Sequence, residues 1–191
     1  MKYIKFQENL KDKKILLRLD LNVPIENGII KDETRINKIL PIINFLLKKK
    51  TKILIISHIG RPNGKIEEVL SLKPICENLK TKVNQEITLI KKNIFELKKE
   101  DLFKDSKYQI NFLENIRFYR EEEKNDKNFS KHLAKLGDLY VNDAFSCSHR
   151  EHASVSNITK FIPSYAGLQL ETEINALKKI TSEIKKPISC I

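Results

Sequence analysis

The 191-residue sequence has one methionine, five glycines, three cysteines and no tryptophan. Cys76, Cys147 and Cys190 are odd in number and widely spaced, which argues against a disulfide scaffold and for reduced thiols in a cytoplasmic protein. No signal-peptide pattern opens the chain. No apolar run approaches the roughly 20 residues that a membrane-crossing helix needs, so the expectation is a soluble chain without a membrane partner. Internal repeats, low-complexity tracts and Pro/Gly-rich linkers are also missing, and at this length one domain with a real core is the simplest organisation.

Charge of one sign is in excess. Lys and Arg number 36 against 25 Asp and Glu, for a net charge of +11. A balance of that kind invites a nucleic-acid reading. However, 30 of the 36 are lysines, scattered in short runs such as Lys48-Lys49-Lys50, Lys91-Lys92, Lys98-Lys99 and Lys185-Lys186; these read as solvated surface. The six arginines are more informative, because guanidinium grips phosphate or carboxylate in a fixed two-pronged geometry.

Strand-length apolar stretches occur at residues 14–19 (KILLRL), 52–57 (KILIIS), 108–113 (YQINFL) and 138–142 (DLYVN), with a weaker ITLI at 87–90. Helical periodicity runs from about Asp32 to Lys50, where Ile36, Ile39, Leu40, Ile43, Leu46 and Leu47 share a face. Pro41 inside it should bend the helix or mark a late start. Further helices are expected over 71–80, over 126–137 with a glycine stop, and over 167–184. Strands apolar on both faces that alternate with helices indicate an α/β fold, a three-layer αβα (Rossmann-like) arrangement around a mainly parallel sheet. Residues 1–184 read as one domain. The closing KKPISCI (185–191) looks like the start of another buried strand whose continuation is missing.

In open parallel sheets ligands bind beyond the carboxyl ends of the strands. The first strand hands Asp20 and Asn22 to its loop, and the second hands over His58, Gly60 and Arg61 in SHIGRP. LENIRF supplies Glu114, Asn115 and Arg117. NDAFSCSHREHAS supplies Asp143, His149, Arg150 and His152, while Arg35 opens the first long helix. Only Arg18 and Arg120 fall elsewhere. GRPNGK imitates a phosphate-cradling P-loop, but three residues separate its glycines where four are needed, and Ile66 replaces the Ser or Thr after the lysine.

Each residue has a plainer reading. Asp20 and Asn22 could form an Asx turn before Pro24, and His58 could be a hydrogen-bonded structural histidine. Arg61 could be solvated, Arg117 could pair with Glu121, and Arg35 could bridge to Asp32 or Glu33. Together they place several cations at one sheet edge with few counter-charges, which repel one another unless an anion arrives. A small, multiply charged phosphate or carboxylate metabolite suits them, with Asp20 accepting from a hydroxyl. Nucleic acid suits them less well, because aromatic residues are only 7% of the chain and base stacking needs them. Cys147, His149 and His152 could form part of a zinc site but lack a second ligand pair at a recognisable spacing, and His132 reads as surface.

The four loops resemble one family, phosphoglycerate kinase: RLDLNVP its R-x-D-x-N-V-P, SHIGRP its S-H-x-G-R-P, LENIRF its L-E-N-x-R-F, and NDAF followed by HREHAS its N-D-A-F and H-R-x-H-A-S. The resemblance runs from about Ile15 to the last residue. It implies a two-lobed monomeric kinase of which this chain is the amino-terminal lobe, inactive alone. The family's activity is reversible phosphoryl transfer between 1,3-bisphosphoglycerate and ADP, giving 3-phosphoglycerate and ATP. By the same resemblance, Mg-ATP or Mg-ADP belongs to the carboxy-terminal lobe, which is also the partner of this one, and no metal or cofactor is held here. Asp20 and Asn22 would hold the hydroxyl and carboxyl end of the substrate. His58, Gly60, Arg61, Arg117 and Arg150 would surround its 3-phosphate, and Arg35 would sit by the carboxylate and neutralise the transferring phosphoryl group. Two departures stand out: Glu151, where the family carries a small residue and which on a strand-like segment should point away from Arg150's side, and Cys147, expected to be packing. The alternative reading is a basic nucleic-acid-binding α/β module.

Overall fold

Runs such as ILLRL and ILII are apolar at consecutive positions, so strands made from them must be covered on both faces. A computed structural model, which describes residues 1–104 and 109–182, meets that demand. In chain order the elements are β1 (Lys14–Leu19), the hairpin β2 (Ile25–Glu26) and β3 (Ile29–Ile30), α1 (Thr34–Lys48), β4 (Lys52–Ile56), α2 (Lys73–Val83), β5 (Ile87–Ile90), β6 (Ile110–Leu113), α3 (Arg120–Glu123), α4 (Lys127–Lys135), β7 (Leu139–Asp143), β8 (Ser164–Ala166) and α5 (Leu168–Ser182). Short 3-10 turns fill several of the connections. Six strands form one sheet in the order β5-β6-β4-β1-β7-β8, every pair parallel.

Period-two alternation sorts the strand residues onto two cores. Ile15, Leu17 and Leu19 of β1 join Ile53 and Ile55 of β4, Phe112 of β6 and Val141 of β7, closed over by Ile36, Ile43 and Leu46 of α1 and Ile75 and Leu79 of α2. Leu16, Leu54, Leu113 and Tyr140 face the other way, against Phe129 and Leu133 of α4. This is the αβα layering expected. On β1 the next residue on the second face is Arg18, fully buried.

The register brings the functional loops together. Arg18 lies level with Ile56 of β4 and with Asn142 of β7, so the loops after these three strands open side by side. The chain leaves β1 for β4 on one side and later returns to place β7 on the other, which makes β1/β7 a topological switch point.

Sequence and structure differ in detail. Helix α1 starts at Thr34, whose amide donates to Asp32 Oδ1 at 2.8 Å, and continues through Pro41, so the late start is not taken. Helix α4 begins at its Asp126 cap, which accepts from the Phe129 amide at 2.7 Å, and ends just before Gly137. The β2/β3 hairpin and β8 carry no strand signal of their own. Strand β8 is three residues long and follows Pro163, and its edge is protected because the Ala166 amide donates to the Lys2 carbonyl at 2.8 Å. Tyr108, Lys185, Lys186, Cys190 and the strand expected over 185–191 lie outside the described residues. No helix among the described residues is long and apolar enough to cross a membrane.

Phe112 is fully buried in the first core. Phe112→Ala should lower the unfolding free energy by about 3–5 kcal/mol, read as a drop in the urea midpoint; an unchanged midpoint would refute this packing.

Candidate functional site

The loop after β1 holds Asp20 between two partners. Its Oδ2 accepts from Arg35 Nη1 and from Ser146 Oγ, and its Oδ1 accepts from the Asn22 amide at 3.3 Å. Burial pushes the Asp20 carboxyl up, but the donors from Ser146 and Arg35 outweigh it and hold the group below its usual range. The Asx turn is therefore present alongside a place in the site. Arg35 pairs with Asp20 rather than with Asp32 or Glu33. Glu33 instead accepts from Asn78 at 2.6 Å and pairs with Lys82 at 2.8 Å.

Asn22 ties this loop to the next, its Oδ1 accepting from the Gly60 amide at 3.0 Å. Gly60 has φ +63°, and a Cβ there would come within 2.7 Å of Leu70, so the turn requires glycine. The Gly60 carbonyl accepts from Arg117 Nη1 at 2.8 Å.

Arg117 is only 3% exposed and does not reach Glu121. Its nearest carboxylate is Glu123, whose oxygen stands 3.5 Å from Nε, a charge contact without hydrogen-bond geometry. Both Nε and Nη2 lack a hydrogen-bond acceptor. Arg150, half-buried, and Arg61, exposed, make no ion pair among the described residues. Burial, then the positive field of Arg18, Arg117, His152 and Arg150, drives His58 down to about 2, so it is a neutral imidazole. His152 is lowered to about 4, by burial first and then by Arg117.

Hydrogen bonds link Arg35 to Asp20, Asp20 to Asn22, Asn22 to Gly60 and Gly60 to Arg117, and Arg117 and Arg150 lie near enough to His58 for their charges to act on it. All of them sit beyond the carboxyl ends of the strands, on the crevice side of the sheet, with Arg61 following Gly60 in the same loop. Cys147 is buried, with its Sγ 3.6 Å from Ser146 Oγ. Glu151 is exposed. Among the described residues no three His, Cys, Asp or Glu side chains stand together as a metal ligand set, so Cys147, His149 and His152 do not form one. A cavity of about 180 Å³ lies beside Asp20, Arg35, Lys38, Asp143 and Ser146.

Sequence reasoning set Arg18 aside and passed over Glu122 and Ser154. Arg18 Nη2 lies 3.0 Å from His58 Nδ1, and its Nε donates to Ser154 Oγ at 3.0 Å. Ser154 Oγ donates to Glu122 Oε1 at 2.6 Å. A lone arginine in the apolar run KILLRL was the available signal; nothing distinguishes Glu122 from its neighbours in REEE.

The family model described as phosphoglycerate kinase matches residues 6–191. A phosphoglycerate kinase of Wolbachia pipientis subsp. Culex pipiens (strain wPip) is 48% identical over 180 residues, 94% of this chain and 45% of the relative. One from Dictyoglomus turgidum is 41% identical over 184 residues, 96% of this chain and 46% of the relative. The solved phosphoglycerate kinase of Coxiella burnetii superposes with a TM-score of 0.86 at 32% identity, covering 97% of this chain and 46% of that one. The chain thus spans about half the length of the curated relatives it matches. The nucleic-acid alternative gains no support from these matches.

His58, neutral in the folded state at about 2, titrates at its ordinary 6.5 when unfolded. Between those values the unfolded chain binds the extra proton, so stability is full above pH 6.5 and declines as pH falls, by up to ~1.4 kcal/mol per pH unit. His152 adds to the loss between 6.5 and about 4. Asp143, which burial raises from 3.8 to about 6, works the other way: its contribution is present at low pH and is lost as pH rises through that window. Comparing His58→Asn with the parent separates these effects. The loss of stability between pH 7.5 and 5, measured by urea unfolding, should be smaller in the variant; equal losses would refute a neutral His58.

Proposed function

Because the chain belongs to the phosphoglycerate kinase family, we propose that it is the part of such a kinase that receives the phosphoglycerate. The observation that carries the proposal is Arg117. A buried N–H without an acceptor costs about 1–3 kcal/mol, more on a charged group, and Arg117 holds Nε and Nη2 in that condition beneath the surface, beside the Gly60 turn. A phosphate offers acceptor oxygens in the planar geometry that a guanidinium fork matches. Arg150 and Arg61, without carboxylate partners, complete the positive field, and the neutral imidazole of His58 adds a donor.

At the other end Asp20 accepts from the substrate hydroxyl and Asn22 holds the carboxyl side. Arg35 is the catalytic candidate. It is tied to Asp20 here, and a substrate hydroxyl donating to Asp20 replaces one of that carboxylate's donors, leaving the guanidinium available to the carboxylate and to the negative charge of a phosphoryl group in transit. In the family-length protein the reaction is transfer between the acyl phosphate of 1,3-bisphosphoglycerate and ADP. Mg-nucleotide is then held by the second lobe, which closes over this one, and this chain alone binds without catalysing. A cytoplasmic monomer acting on small metabolites, without nucleic-acid or membrane partners, fits this reading.

Titration calorimetry of the chain with 3-phosphoglycerate at low salt should show one-site binding, and Arg117→Ala should weaken it roughly 10- to 100-fold, the equivalent of ~1.5–3 kcal/mol for a charge-assisted contact. A folded chain that ignores the ligand, or that binds an oligonucleotide in its place with a steep salt slope, would sink the proposal.

A further inference from the structure

Arg18 is the largest fully buried side chain of the described residues and has no exposed surface. It cannot touch a ligand in the crevice, yet three of its nitrogens are committed. Nη1 donates to the Leu19 carbonyl at 2.6 Å, Nε to Ser154 Oγ at 3.0 Å, and Nη2 stands 3.0 Å from His58 Nδ1. A guanidinium has five donors and no acceptor, and it does not lose its proton in proteins. His58 Nδ1 must therefore present its lone pair, and a neutral imidazole that accepts at Nδ1 carries its hydrogen at Nε2.

The other side of Arg18 fixes the same direction. Ser154 Oγ cannot donate to Arg18, so its single hydrogen goes to Glu122 Oε1 at 2.6 Å, and the Ser154 amide donates to Glu122 Oε2 at 2.8 Å. Glu122 is fully buried. Burial holds its carboxyl above the usual carboxylate range, against the pull of Arg18 and of the Ser154 donors. Each Glu122 oxygen accepts from Ser154, and a carboxylate, which is acceptor-only, satisfies both donors and balances Arg18 one hydroxyl away. From Glu122 to His58 every polarity is then determined, and the last member, Nε2, has no partner among the described residues.

We propose that Arg18 is a positioning residue: balanced by Glu122 through Ser154, it holds His58 in the Nε2–H form, so that the imidazole donates a hydrogen bond to a phosphate oxygen in the crevice. The last step rests on the phosphoglycerate reading; the hold on the imidazole does not. The charged or titratable groups whose fields act on His58 are Arg18, Arg117, Arg150 and His152. The Glu122 carboxylate lies beyond Arg18 and Ser154, so the charges that dominate at the imidazole are those that disfavour the imidazolium. The pH dependence of binding should then follow the second phosphate ionisation of the ligand, near pH 6, and not the histidine.

The test is ¹⁵N-histidine NMR of the chain without ligand, from pH 8 to 5. His58 should show a protonated Nε2 and an unprotonated Nδ1 throughout, with no titration. Arg18→Met alone strands the Glu122 carboxylate and is expected to fold poorly. Arg18→Met/Glu122→Leu removes both buried charges at once, a replacement that proteins often tolerate, and urea unfolding checks that it still melts cooperatively. In the double variant His58 should populate both tautomers or titrate within the range, and 3-phosphoglycerate should bind about tenfold more weakly. A parent His58 protonated at Nδ1, or a folded double variant that keeps the parent tautomer and affinity, overturns the proposal. A parent chain with the stated tautomer and no affinity for 3-phosphoglycerate overturns the phosphate reading and the binding role given to the imidazole, while the hold of Arg18 on it stands.

Discussion

A fully buried guanidinium where three parallel strands end is the constraint on which the rest of the site depends. Removing Arg18 from water is expensive, and it is affordable only because its donors meet the Leu19 carbonyl, Ser154 and His58, with the Glu122 carboxylate one hydroxyl away. Those partners come from β1 itself, from the loop after β4, from α3 and from the segment after β7. Satisfying one charge therefore fixes the relative position of four pieces of chain. Tyr140 reinforces the same point, its hydroxyl donating to the Ser154 carbonyl at 2.6 Å.

Above this neutralised layer the crevice is left deliberately unbalanced. Some lysines find carboxylates, as Lys99 does with Asp138 and Lys92 with Asp101; among the described residues Arg61 and Arg150 find none, and Arg117 has only a loose contact with Glu123. The net charge of +11 says little about function, because most of it sits on dispersed lysines. Unpaired arginines over a buried, balanced arginine say more.

The fold was legible because strands such as ILII and helices such as α1 declare their period, and because a two-faced apolar strand admits little except a covered parallel sheet. The short edge elements were not, since the hairpin of Ile25–Glu26 with Ile29–Ile30 and the strand Ser164–Ala166 are set by pairing and not by pattern. Polar residues that cluster beyond the sheet were legible where they sit at a strand end, as with Asp20, His58 and Arg117. Partners were not. The plainer reading of Arg35 looked to Asp32 and Glu33 at the helix start, while its partner came from the loop after β1, 15 residues upstream. Arg18 went unassigned because its meaning lies in contacts to residues 40 and 136 positions away, distances over which sequence reading has no grip.

The crevice also has a direction. At the β1 end Asp20 and Arg35 cancel, with Ser146 supplying a further donor, so that a hydroxyl and a carboxylate can be accommodated by exchange of partners. At the β4/β6 end Arg117 keeps two donors idle and no carboxylate offers a full hydrogen bond. On the proposed reading, a ligand with a doubly charged group at one end and a hydroxy acid at the other would be oriented before any contact is optimised, since reversing it would set the dianion against Asp20 and leave Arg117 unsatisfied. Asn22 and Gly60, joined at 3.0 Å between the two ends, fix the distance between them. On that reading the discrimination would come from the spacing of a neutral end and a positive end, with the buried Arg18 tying the β1 and β4 loops together from below.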